Sequence, residues 1–127
     1  MVLKYVANVV IYKYMDYKIL NLKEYSPSVE QAIALFSINL NAYKLEGVKV
    51  VKVIHGYGSH GIGGGICTSL RNTLKEMKKN GQIKDYLLGA EWNISNPKCL
   101  KIFTKLKDCY NDEDAGRDNP GITIVVL

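Results

Sequence analysis

The sequence predicts an α/β domain: a two-layer sandwich in the order βαβαβ(α)β, with a mixed four-stranded sheet and an extra strand at the N-terminus. Three observations predict it. Runs of β-branched residues alternate with segments whose apolar residues recur at helical spacing. Residues 48–54 are almost continuously apolar, as a strand covered on both faces should be. A glycine-rich loop separates that strand from the next helix. Strands that alternate with helices imply substantial parallel pairing, because each helical crossover returns the chain to the same end of the sheet. The 127 residues make one domain, read as an N-terminal extension over 1–16 and a core over 17–127 with a helical insertion at about 94–115. A chain of this length buries a core without disulfides or metals.

The elements follow in order. Val6-Ala7-Asn8-Val9-Val10-Ile11-Tyr12 comes after the lone Lys4. Its apolar core is short, holds Asn8 and leads to no small-residue cleavage site, so it reads as a strand and not as a signal peptide. An upstream start, with Met15 the true beginning, is the alternative. Residues 18–22 form a short strand and 23–27 a loop. Ser28 with Gln31 three residues later is a capping box that opens a helix. Val29, Ala32, Ile33, Phe36, Leu40 and Tyr43 line one face of it, and Gly47 stops it. After the 48–54 strand, residues 55–65 hold six glycines. A second helix over 65–79 carries Ile66, Leu70, Leu74 and Met77 as its apolar stripe and ends at Asn80-Gly81. Residues 86–88 are a strand. Residues 97–107 are a third helix with Leu100, Phe103 and Leu106 inward. A polar loop over 111–120 leads to a closing strand over 121–127.

Composition is that of an ordinary globular protein, 47% hydrophobic and 23% charged. No apolar run approaches the roughly 20 residues of a membrane span, so no membrane partner is expected. The net charge of +5 favours an anionic partner. Between Arg71 and Lys107 nine basic residues face three acids, a local surplus of six; beyond them Asp108, Asp112, Glu113, Asp114 and Asp118 surround Arg117. Cys67, Cys99 and Cys109 have neither the count of a disulfide framework nor the spacing of a zinc site. They read as reduced, buried thiols of a cytoplasmic protein, and no metal or cofactor is expected.

The glycine loop is where chemistry is expected. Without a Cβ the backbone approaches a ligand closely. Free amides at the start of the following helix, Gly63 and Gly64 among them, offer a seat for a phosphate. Gly56, Gly58 and Gly61 match the dinucleotide fingerprint G-x-G-x-x-G. The acid expected about 20 residues further on, at the end of the next strand, is missing; Glu76 lies inside the helix. No Gly-Lys-Ser/Thr makes the loop a P-loop.

Val53-Ile54-His55-Gly56-Tyr57-Gly58, followed by a glycine-led helix, resembles the His-Gly-x-Gly motif of the Smr (small MutS-related) family. Asn119-Pro120-Gly121 and the apolar residues to Leu127 resemble that family's closing strand, and residues 20–47 its first β-α unit. The resemblance covers roughly 17–127. It implies a compact α/β sandwich that binds DNA or RNA, in some members with nicking or cleavage, and it places His55, Gly56 and Gly58 at the binding loop. Two departures stand out. Where nuclease-competent members carry Leu-Asp-x-His, this chain has Leu20-Asn21-Leu22-Lys23, with neither the acid nor the histidine. The loop is also longer, over 59–64, so that Arg71 comes a helical turn later than the family's arginine.

The residues expected to contact nucleic acid are His55, Gly56, Tyr57, Gly58, Gly63, Gly64, Lys23, Arg71, Lys75, Lys78 and Arg117. His55 is the best acid/base candidate if an endonuclease operates. Beside the phosphate-contact reading, which its place at the glycine loop favours, His55 has the alternative of a packed residue capping a strand end; His60 reads as an exposed loop residue and Arg117 as an ion-pair partner. Arg71, Lys75 and Lys78 form a ridge at helical spacing, and Lys98, Lys101 and Lys105 repeat it; both are solvated faces or backbone-contacting ridges. Trp92 reads as buried against the inserted helix, and Tyr57 as a stacking residue for a single strand. A small-molecule phosphate or nucleotide-binding protein and a protein-interaction module are the rival readings. The apolar N-terminal segment is a candidate for pairing two copies into a homodimer.

Overall fold

The computed structural model describes residues 2–6, 9–13, 16–57 and 62–127, with side chains over 16–57 and 65–127. Met15, Gly58, His60 and Gly61 lie outside the described residues. The N-terminal segment, expected as one strand, is two. β1 (Val2–Val6) and β2 (Val9–Lys13) pair antiparallel in a sheet of their own, Val6 opposite Val9.

The main sheet holds β3 (Tyr17–Asn21), β4 (Val50–Ile54), β5 (Asp85–Leu88) and β6 (Ile122–Val126) in the order β3-β4-β6-β5. β3 and β4 are parallel; β6 runs against both β4 and β5. The fold is therefore α/β with a mixed four-stranded sheet. Three strands point their carboxyl ends the same way, towards the glycine loop.

α1 (Val29–Glu46) starts where its cap predicts. Ser28 Oγ accepts from the Gln31 amide at 3.1 Å and the Gln31 side chain accepts from the Ser28 amide at 2.9 Å. Gly47 ends it at φ 81°, which glycine alone adopts freely. α2 (Ile62–Lys79) begins three residues earlier than its apolar stripe suggested. Together they cover one face of the sheet. Phe36, Leu40, Leu70 and Leu74 pack there against Val51, Val53 and Val125.

The opposite face, the sandwich's outer side, is covered by the insertion: a turn of 3-10 helix at Gly89–Glu91, α3 (Pro97–Lys105) and α4 (Lys107–Tyr110). Trp92, Cys99, Phe103 and Cys109 pack there on Val50, Leu87, Ile122 and Ile124. Trp92 is fully buried, its ring edge-on to Phe103 at 4.8 Å, as the sequence led one to expect. The helix register needs one correction. Leu100, expected inward, is 48% exposed, and Cys99 takes the buried place. Asn96 caps α3 through Oδ1, which accepts from the Lys98 and Cys99 amides, and this cap sets which residue turns inward.

Alternation along β4 sends Val51 and Val53 to the α1/α2 face and Val50, Lys52 and Ile54 to the other. Lys52 therefore lies fully buried in the middle of the sheet. Its ammonium meets Asp112 at 2.8 Å and Asp114 at 2.7 Å. Asp112 also accepts from the Tyr17 hydroxyl at 2.7 Å and from Trp92 Nε1 at 3.2 Å. Burial alone would lower the Lys52 pKa, but the two carboxylates raise it. Two acids of the 111–120 loop, Asp112 and Asp114, are thus anchored to the sheet through one cation.

Candidate functional site

The carboxyl ends of β3 and β4 and the start of β6 meet at one edge of the sheet. Ligands of open α/β sheets bind outside such strand ends. The backbone there is held closely. The amides of His55 and Gly56 both donate to the Gly121 carbonyl, each at 3.0 Å. Gly56 adopts φ 73°, and a Cβ added at Gly121 would stand 3.3 Å from the Gly56 Cα. Two glycines let these strands' ends approach.

His55 is placed differently from the phosphate-contacting role expected of it. One position beyond Ile54, it is fully buried on the α2 side of the sheet. Nδ1 lies 2.7 Å from the Gly56 carbonyl and Nε2 2.8 Å from the Thr123 hydroxyl. A carbonyl only accepts, so Nδ1 carries the proton and Nε2 accepts from Thr123. Both nitrogens are engaged inside the fold, so His55 is a brace between the loop and β6, not a free acid or base. Burial depresses its pKa; the Gly56 carbonyl works against this, and the Arg71 charge adds to the depression. A histidine held neutral in the fold contributes stability that is present above its unfolded pKa, near 6.5, and is lost as pH falls. Urea midpoints should therefore fall between about pH 7.5 and about pH 5.5, while those of His55→Gln should change little across the same range. The depressed Asp85 and Asp114 titrate below that window.

What faces solvent is a different set. Lys23 is exposed and its aliphatic stem crosses Gly56: a Cβ on that glycine would lie 2.9 Å from Lys23 Cδ. Asn21, in the place of the missing acid, accepts from the Lys23 amide through Oδ1 at 2.9 Å and so shapes the turn. Tyr57 is 63% exposed and Tyr25 92% exposed, and neither ring makes an aromatic contact among the described residues. Tyr25 and Ser26 hold left-handed backbone at φ 66° and 47°, a strained conformation for side-chain-bearing residues. Tyr25 was not among the residues expected from the sequence. Its signal was an aromatic two residues beyond Lys23 in a strand-ending loop.

The basic ridge divides. Arg71 is half-buried on α2, close enough for its charge to act on His55, and its Nε is buried without a hydrogen-bond partner among the described residues. It opens on a recess of about 330 Å³ that Tyr86, Leu88 and Glu91 also line. Lys75 is exposed. Lys78 pairs with Asp85 at 2.9 Å, as Lys98 does at 2.8 Å, so one acid binds two members of the two ridges. Arg117 is exposed, its amide donates to the Asp114 carbonyl, and its charge helps Lys52 hold the Asp114 carboxyl low against burial. Gly63 and Gly64 lie in the first turn of α2.

The cysteines are free and buried. Burial raises the thiol of Cys99 to about 11 and that of Cys109 to about 12, so neither is a nucleophile at neutral pH. Among the described residues no cluster of His, Cys, Asp or Glu is arranged to hold a metal, and no helix is long and apolar enough to cross a membrane. Comparison with protein-family models, with curated proteins and with solved structures finds no match for this chain.

Proposed function

We propose that this chain is an Smr-like, cytoplasmic domain that binds single-stranded nucleic acid, without sequence readout and without cleaving it. The observation that carries this reading is the surface at the ends of β3 and β4. Lys23 spans from one loop to the residue before Tyr57, and Tyr25 and Tyr57, in the same two loops, are both exposed. Exposed rings beside a cation are what a strand needs to stack its bases while its phosphates are neutralised. Arg71 supports the reading, because a guanidinium nitrogen buried without a partner among the described residues has a donor left to offer an acceptor. Binding rather than cleavage is favoured because Asn21 stands where an acid would act and both nitrogens of His55 are occupied.

Fluorescence anisotropy with labelled single-stranded and duplex DNA and RNA tests this. Tyr57→Ala should weaken single-strand binding by about 1–3 kcal/mol. It should leave duplex binding nearly unchanged, and its exposed site leaves the fold intact. Failure of every oligonucleotide to bind at about 50 mM salt would remove the proposal. Thermal stabilisation by a mononucleotide alone would favour the small-molecule alternative.

One observation favours a role in protein interaction. On α1, Leu35, Ile38 and Leu45 are exposed by 44%, 67% and 91%, at the i, i+3, i+10 spacing of a helix–helix seam. Elution volumes of the wild type and of Ile38→Glu/Leu45→Glu, compared by size-exclusion chromatography, decide whether this seam joins two copies.

A further inference from the structure

At the opposite end of the sheet from the tyrosines lies a cavity of about 620 Å³, between α3 and the starts of β4 and β5. Its floor is hydrocarbon: Val50, Leu87, Ile102 and Leu106, all part of the second core cluster or packed on it. Its rim is cationic. Lys101 and Lys105 project from α3, Lys49 from the chain entering β4, and Lys84 from the chain entering β5. None of these four ammonium groups makes an ion pair among the described residues. Lys98 is held by Asp85; among the described residues Asp16 and Asp85 are the acid side chains lining the space, and Leu127 lines it as well.

We propose that this cavity binds a small anionic amphiphile: a carboxylate or sulfonate on an aromatic or aliphatic body. The two halves of the site call for the two halves of such a ligand. Four like charges around one opening repel each other, and an anion among them relieves that repulsion. An apolar body on the floor removes hydrocarbon surface from water. The volume falls within the usual range for small-molecule pockets, roughly 300–1,000 Å³. A sugar-phosphate chain satisfies the rim but wastes the floor. The recess encloses a free molecule better than a flat bilayer headgroup. The site is independent of the proposed nucleic-acid surface and needs none of its residues.

The probe is 8-anilinonaphthalene-1-sulfonate, titrated into the folded 127-residue chain and followed by fluorescence. The result expected is saturation at one probe per chain, displacement by decanoate and no displacement by decanol. Lys101→Glu/Lys105→Glu should weaken probe binding about tenfold. Both residues are exposed, so circular dichroism and melting should match the wild type. The proposal is overturned by absence of saturable binding, by equal displacement with decanol, or by an affinity indifferent to the charge reversal. It is overturned too by displacement with an oligonucleotide in place of decanoate, or by co-sedimentation with phosphatidylserine vesicles that the charge reversal abolishes.

Discussion

Replacing Lys52 by Met is expected to destabilise the fold by about 3–5 kcal/mol, the loss usual when one partner of a buried ion pair is removed. The reason lies in what stays behind. Asp112, at 3% side-chain exposure, and Asp114, at 18%, would face one another with no cation between them. Tyr17, Trp92 and Asn119 still donate to them, but neutral donors do not cancel two charges. The pH dependence supplies a second signature. In the wild type the Asp114 pKa is lowered: burial raises it, but Lys52 and Asn119 outweigh burial. A depressed carboxylate contributes stability that is present above its unfolded pKa and is lost as pH falls through the folded value. In Lys52→Met the sign reverses. Protonation then removes the repulsion, and part of the lost stability should return as pH falls towards about 5. Lys52→Met with Asp112→Asn and Asp114→Asn should recover most of the loss at neutral pH. Urea unfolding of the variants across pH checks each step, and a single variant within about 0.5 kcal/mol of wild type would contradict the buried network.

Gly89→Ala should destabilise by at least about 3 kcal/mol, at the upper end of overpacking. A Cβ there would stand 1.7 Å from the Asn119 carbonyl oxygen and 2.7 Å from its carbon. Both atoms are backbone, so no rotamer change relieves the clash. The segment 119–121 must move, and Gly121 in it accepts from His55 and Gly56. One methyl group between β5 and the first insertion turn is therefore felt at the tyrosine surface. The variant should show both a lower urea midpoint and weaker oligonucleotide binding. Ala90, one residue on and exposed, is the control: Ala90→Ser should leave both unchanged.

These two sites mark where the sequence was legible and where it was not. α1 was readable because its signals are local: Ser28 with Gln31, one apolar stripe and Gly47 all lie within 20 residues. The alternation of strands and helices fixed the class of fold for the same reason. Lys52 was not readable. A lysine inside a valine-rich strand looks like an outward-facing interruption, and its partners come 60 and 62 residues later in a loop rich in acids. The N-terminal run looked like one strand because nothing in its composition marks the end of β1 at Val6 or the start of β2 at Val9. At the glycine loop, position was legible but orientation was not. That His55 turns inward follows from Thr123, 68 residues away, and from Gly121. Once the histidine is a brace, Lys23, Tyr57, Arg71, Lys75 and Arg117 remain from the expected set as side chains facing outward or, for Arg71, without a partner among the described residues, and Tyr25 joins them.

The salt dependence of single-strand binding is the most direct test of a polyanion at this edge of the sheet. Log affinity plotted against log salt should fall linearly for the wild type, and Lys23→Ala/Arg71→Ala should flatten the slope by about 0.7 for each phosphate no longer neutralised. A slope equal in the wild type and the double variant, or binding indifferent to salt, would mean that no nucleic-acid backbone lies across the ends of β3 and β4.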